Sequence, residues 1–226
     1  VLRYVALEGE MIGLTGGSMR AMLLRRPRTA TTTEDFAPLE LSDIFTPEPA
    51  DNEVLIQVSV CGVCRTDLDV AEGRVVAPRY PVIPGHQVIG RVASIGRAVT
   101  TRREGDRVGI AWIHFACGVC RWCKRGEENL CPYFESTGCD ANGGYGEFVT
   151  ARADFTYAIP ASLSDLEAAP LLCAGAIGWR SLRLAGLSNG DPLGLTGFGA
   201  SGHLVLQLAR HRFPRSAIYV FARSAG

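Results

Sequence analysis

The chain has 226 residues, 47% of them hydrophobic, and its 23 lysines and arginines equal its 23 aspartates and glutamates. That balance provides no net field to hold nucleic acid or an anionic membrane. The longest apolar stretch, Ala168 to Trp179, contains Pro170 and is too short to span a bilayer, and the start Val1-Leu-Arg-Tyr-Val-Ala-Leu-Glu-Gly-Glu lacks a secretory signal's apolar run, so a soluble cytoplasmic protein is expected.

The chain opens on valine, and a conventional start stands at Met19; residues 1–18 are therefore expected to be an extension with no place in the fold. Residues 19–165 read mostly as strands. Glu53-Val-Leu-Ile-Gln-Val-Ser-Val60 is rich in β-branched residues, Gln87-Val-Ile-Gly-Arg-Val-Ala-Ser-Ile95 follows a Pro84-Gly85 turn, and Asp106–Ile110 and Tyr145–Thr150 each follow glycine. Short strands between glycine turns predict a β-barrel. From 166 to 226 the pattern changes to an α/β one. Ser164 with Glu167 reads as a capping box opening a helix. A strand at Pro192–Thr196, a helix from His203 to about Arg212 and a strand at Ala217–Phe221 make one βαβ unit, the start of a parallel sheet. The chain stops just after that last strand, so a longer parent is expected.

The most specific signal is Cys117-Gly-Val-Cys120-Arg-Trp-Cys123 followed by Cys131, half of the eight cysteines. Four clustered thiolates make a closed tetrahedral site with no position for water, which is the structural kind of zinc site. Disulfides would need an oxidising compartment, for which the sequence offers no sign. Cys64, His86 and Cys173 form a dispersed second set. Spacing alone does not select these three, because a lone cysteine is commonly a small core residue.

Three segments together carry a resemblance. Cys61-Gly-Val-Cys-Arg-Thr-Asp-Leu68, Pro84-Gly-His-Gln-Val-Ile-Gly90 and Leu171-Leu-Cys-Ala-Gly-Ala-Ile-Gly178 stand in order around the four-cysteine stretch. In this the chain, from about Met19 to Arg223, resembles the zinc-dependent medium-chain alcohol dehydrogenases. The resemblance implies a co-chaperonin-like β-barrel catalytic domain over 19–165, with a structural zinc lobe at about 112–135, and a partial Rossmann domain over 166–226. It implies that Cys64, His86 and Cys173 hold a catalytic zinc with one open position, whereas Cys61 is no ligand. Thr66 would take the proton from the alcohol, Asp67 would orient the histidine, and Arg65 would lie against the cofactor pyrophosphate. Zinc as a Lewis acid would ease removal of the hydroxyl proton while hydride passes to a nicotinamide. Three residues depart from the family pattern. Gln87 stands where glutamate is usual. Asp69 stands where several members carry a relay histidine, and would accept the proton or lie at the solvent edge. Ile177 replaces a hydroxyl residue.

Gly197-Phe-Gly199-Ala-Ser-Gly202 fits the dinucleotide pattern G-x-G-x-x-G, between a predicted strand and helix. The second strand ends in Ala222-Arg223-Ser224, with no acid for the ribose of NAD. Arg223 and Ser224 suit a 2′-phosphate, so NADP is expected over NAD. The expected function is hydride transfer between a small alcohol, or its aldehyde or ketone, and a nicotinamide cofactor. The parent is expected to be a homo-oligomer without nucleic-acid or membrane partners. A zinc-free quinone or enone reductase relative is disfavoured by the seven placed ligands. A non-catalytic zinc-binding fragment stays open, because the sheet has only two predicted strands. Trp112 and Trp179 fit an alcohol pocket and plain core equally well.

Overall fold

The computed structural model describes residues 4–6, 17–28 and 38–223. The first half runs β1 (Tyr4–Ala6), β2 (Ser18–Leu24), β3 (Leu39–Phe45), β4 (Glu53–Gly62), α1 (Arg65–Ala71), β5 (Gln87–Ile95), β6 (Arg107–Ile110), β7 (Ile113–Phe115), β8 (Glu135–Ser136), β9 (Phe148–Arg152) and β10 (Thr156–Ala158). The second runs α2 (Asp165–Ala168), α3 (Ala174–Ala185), β11 (Leu193–Thr196), α4 (Ala200–Arg212) and β12 (Ile218–Phe221).

The β-branched run predicted at 53–60 becomes β4, the organising strand of a six-stranded sheet. Its one edge pairs with β5 from Val54 to Gly62, with two register shifts. Its other edge is shared: β9 lies opposite Glu53–Gln57, and β1 lies opposite Val60–Gly62. This corrects the expectation that residues 1–18 have no place in the fold. Where β9 stops, the end of β4 would leave unpaired N–H and C=O groups, and Tyr4–Ala6 satisfy them. Ser18 also lies inside β2, paired with Phe45.

The β2–β3 pair closes over this sheet and contributes Met19, Ala21 and Leu23 to one core with Val54, Ile56, Val88, Val108, Ile110 and Phe148. This is the expected barrel. Ile56 and Ile89 are fully buried, each contributing roughly 1.5–3 kcal/mol by leaving water. The predicted strand at 145–150 starts later, at Phe148, because Tyr145 and Glu147 use their backbone to bond β2.

Ser164 caps α2 with the predicted capping box. The helix lasts only one turn. Pro170, which lacks an N–H, falls in the 3-10 turn Ala169–Leu172 that follows, and Cys173, neither helical nor extended (φ −128°, ψ −77°), separates that turn from α3. The apolar stretch 168–179 is thus broken at its cysteine. Beyond it, β11 and β12 pair in parallel around α4, as predicted. α3 lies so close to α4 that a methyl on Gly178 would sit 2.6 Å from Val205 Cγ2.

Candidate functional site

The metal-ligand candidates converge although they come from three distant segments. Cys64 follows the end of β4, His86 precedes β5, and Cys173 sits at the break before α3. Their ligand atoms all lie within 4.8 Å of one another, with Cys64 Sγ 3.2 Å from His86 Nε2. Cys64 is the N-cap of α1: its sulfur accepts from the Thr66 N–H at 3.3 Å. Asp67 completes the box, one oxygen accepting from the Cys64 N–H at 2.8 Å. The other oxygen lies 3.2 Å from His86 Nδ1, and the two side chains are only 1% and 5% exposed. Nδ1 is thereby committed to the carboxylate, and Nε2 is left for a metal.

The electrostatics suit a cation. The hydrogen bond from the Cys173 thiol, then contact with His86, draws Cys64 down to about 4. Sharing that proton, and burial, push Cys173 up. Burial disfavours charge on His86, but Asp67 and then Cys64 outweigh it and lift the ring to about 9. Three acidic or thiol groups around one imidazole are thus arranged for a positive centre. Cys61, fully buried, is pushed up above the ordinary thiol range by burial and is not part of this set, as expected.

The loop behind His86 needs glycine. A methyl on Gly143 would lie 2.0 Å from the Gly85 carbonyl oxygen, which no small shift relieves. Gly85 itself has φ +99° and its Cα faces the Tyr145 ring. The edge of Trp112 meets His86, with ring centroids 4.9 Å apart. Tyr145 and the 138–144 loop were not singled out from the sequence; the Gly143-Gly144 pair was the available signal. Gln87 is 1% exposed, and neither of its amide atoms finds a partner among the described residues.

The four-cysteine lobe is an excursion whose base is the β7–β8 pair. Cys120 and Cys123 sulfurs are 3.5 Å apart, and Cys117 and Cys123 sulfurs 3.9 Å. Zinc–sulfur bonds of about 2.3 Å in a tetrahedron imply sulfur–sulfur edges of about 3.8 Å, so the set fits zinc. The N–H groups of Cys117 and Tyr133 both donate to Cys131 Sγ, and Cys117 is drawn down to about 6, first by the Val119 N–H. All eight cysteines are free thiols in this structure.

The glycine loop lies between β11 and α4. Gly197 has φ +82°, which makes the tight turn. Nothing stands within 4 Å of a methyl built on Gly199, whereas one on Gly202 would meet the Gly197 carbonyl at 2.9 Å. A pyrophosphate-binding turn likewise needs a tight turn and an unobstructed backbone. Arg223 is exposed just past β12; Ser224 lies outside the described residues.

On α1, Arg65 and Asp69 pair with one another at 3.1 Å, and Arg74 donates to the same Asp69 oxygen at 2.7 Å. The Arg74 hydrogen bond holds Asp69 below the ordinary carboxylate range. Ile177, in the first turn of α3, is 59% exposed. Trp179 lies apart from the metal ligands in a cleft of about 180 Å³ with Leu182, Arg212 and Phe213, with the Arg212 guanidinium 4.6 Å from its ring centre.

Residues 50–161 match the alcohol dehydrogenase GroES-like domain. The chain is 48% identical over 216 residues to a Mycobacterium tuberculosis protein named "Probable alcohol dehydrogenase AdhA", covering 93% of this chain and 61% of that protein. It is 39% identical over 184 residues to an alcohol dehydrogenase of Geobacillus stearothermophilus, covering 81% of this chain and 54% of the relative. It superposes on the cobalt- and zinc-bound thermostable alcohol dehydrogenase of Pyrobaculum aerophilum with a TM-score of 0.81 at 31% identity, over 91% of this chain and 60% of that one. The chain thus spans between 54% and 61% of the length of these two curated relatives. The likeness to alcohol dehydrogenases extends over both the barrel and the βαβ unit of this chain, and its barrel residues 50–161 match the alcohol dehydrogenase GroES-like domain.

Proposed function

We propose that Cys64, His86 and Cys173 hold a catalytic zinc, that Cys117, Cys120, Cys123 and Cys131 hold a structural one, and that the whole protein transfers hydride between a small alcohol, or its aldehyde or ketone, and a nicotinamide cofactor. The observation that carries this reading is the convergence of three ligand atoms within 4.8 Å, with Asp67 behind the histidine. Zinc bound there supplies a Lewis acid that lowers the cost of deprotonating an alcohol. The chain's own groups do the rest. Asp67 fixes the His86 tautomer. Two thiolates balance the charge of a dication. Thr66 Oγ1 accepts the substrate hydroxyl proton and passes it outward. Gly197, Gly199 and Gly202 admit the pyrophosphate to the first amides of α4, with Arg65 as its cationic partner. Asp69 terminates the proton path or anchors Arg65, and its two arginine contacts favour the anchoring role. Gln87 places a neutral amide where an acid is usual.

NADP is the preferred cofactor in this reading, because exposed Arg223 follows β12 and no carboxylate stands beside it to repel a 2′-phosphate. A cytoplasmic homo-oligomer without nucleic-acid or membrane partners completes the reading. No helix among the described residues is long and apolar enough to cross a membrane. The test is kcat/KM of the whole protein with simple primary alcohols and either cofactor. Turnover should vanish in Cys64→Ser. Arg223→Ala should lower the NADP-to-NAD ratio about tenfold or more, the scale of one charged hydrogen bond. Full activity in Cys64→Ser would sink the metal assignment, and an unmoved ratio would sink that of Arg223.

The 226-residue chain itself is read as a metal-binding piece without turnover. β11 and β12 form a sheet of two strands among the described residues, and Tyr219 and Phe221 are 57% and 63% exposed on it. A dinucleotide domain needs a wider sheet to enclose its cofactor.

A further inference from the structure

Cys173 is 109 positions from Cys64 in sequence, and a polar joint ties its segment to the strands that carry the other two ligands. The β4–β5 pairing is irregular between Val58, which pairs with Gly90, and Val60, which pairs with Ile89. Ser59 is therefore an extra residue, turned out of the ladder. Its hydroxyl donates to Asp165 Oδ2 at 2.5 Å, while the Ile89 carbonyl oxygen lies 3.0 Å away. Asp165 is the first residue of α2. Its second oxygen accepts from Arg107 Nε on β6 at 2.8 Å, and Arg107 also donates to the carbonyls of Pro160 and Leu163 at 3.0 and 2.7 Å. The Arg107 and Asp165 side chains are 19% and 33% exposed.

One carboxylate thus joins β4, β6 and the segment leading to Cys173. Below it, Ala168 and Ala169 pack on Val60 and Ile89. A methyl on Gly109 would touch Leu172 at 2.7 Å, so that strand and turn meet without a gap. Apolar contacts of this kind hold the segment against the barrel but tolerate sliding. Four directed, charge-assisted hydrogen bonds do not.

We propose that Ser59, Asp165 and Arg107 form the joint that sets Cys173 at the metal site, with Asp165 as its positioning residue. This rests on the reading that Cys64, His86 and Cys173 hold a metal. Loss of Asp165 frees the segment to shift, and a sulfur held loosely contributes less to metal affinity.

The 226-residue chain is loaded with cobalt(II), and its thiolate charge-transfer and ligand-field bands are followed against a competing chelator. Cys64→Ser assigns the bands of the three-ligand site. Asp165→Asn should weaken cobalt at that site about tenfold or more, the usual cost of losing a supporting contact, and reduce its thiolate band. The four-cysteine lobe should keep its affinity and spectrum. Ser59→Ala, which removes one hydroxyl, should act in the same direction and decides the matter should Asp165→Asn fail to fold; Ser59→Thr should restore wild-type binding. Two cobalt ions in the wild type, with unchanged three-ligand affinity and spectrum in the folded variants, would overturn the joint and leave the metal reading intact. Only one cobalt, with Cys64→Ser spectrally silent, would overturn both.

Discussion

Replacing Asp67 separates two tasks of one carboxylate. One oxygen lies 3.2 Å from His86 Nδ1, and the other accepts the Cys64 N–H at 2.8 Å. Asp67→Asn retains an oxygen for the cap and presents an N–H to His86 where a lone pair stood. The ring would then place its proton on Nε2, the atom needed by the metal. Losing the group behind a ligating imidazole costs about 10–100-fold in metal affinity, or roughly 1.4–2.8 kcal/mol at tenfold per 1.4 kcal/mol. Asp67→Ala loses the cap as well, a further 0.5–2 kcal/mol or so of fold stability. For a chain of this size each kcal/mol lowers the melting temperature by about 2–4 °C. Cobalt titration reads the first effect, and thermal melting of the metal-free protein reads the second. Asp67→Asn should bind weakly at the three-ligand site and lose less metal-free stability than Asp67→Ala, because it keeps the cap. Asp67→Ala should show both losses. Wild-type cobalt affinity in Asp67→Asn would refute the claim that this carboxylate fixes the histidine.

Elemental analysis of the whole protein should find two zinc ions per chain, of which Cys120→Ala removes one and Cys64→Ala the other; a single zinc in the wild type, retained in Cys64→Ala and lost in Cys120→Ala, would leave only the lobe. Ile89→Ala, at a fully buried site, should cost about 2–5 kcal/mol in urea unfolding, and a loss below 1 kcal/mol would contradict the packing described. Burial alone would raise the Glu147 carboxyl, but the Arg20 N–H and guanidinium hold it below its ordinary range. Its contribution should therefore be complete above the ordinary glutamate pKa and fade as pH falls through the folded value. The stability gap between wild type and Glu147→Gln should be widest at neutral pH and close in acid; a gap independent of pH would argue against the ion pair. The 226-residue chain should show no turnover above a Cys64→Ser control in a steady-state alcohol assay, and measurable turnover would reject its reading as a metal-binding piece.

The sequence by itself determined what is local. Ser164 and Glu167 announce a capping box because its atoms lie within one turn. Cys117, Cys120, Cys123 and Cys131 announce a four-sulfur cluster because they lie within fifteen positions of a short chain segment, and the structure brings their sulfurs together. Gly197, Gly199 and Gly202 are legible because their roles are backbone roles, set by φ and by close approach. The pairing of Tyr4–Ala6 with β4 was not legible, since three residues carry no periodicity and their partner edge is exposed only by where β9 happens to end. Nor was the break at Cys173, where Pro170 stops one helix inside a continuous apolar run. The three-ligand site came from sequence only through the family resemblance; spacing could not choose Cys64 over Cys61. Tertiary structure chose it. Cys61 points into the barrel core between Gly85 and Gly144, while Cys64 caps α1 and meets His86 and Cys173. Strand pairing and packing, interactions between residues far apart in the chain, decide which of two nearby cysteines faces the site.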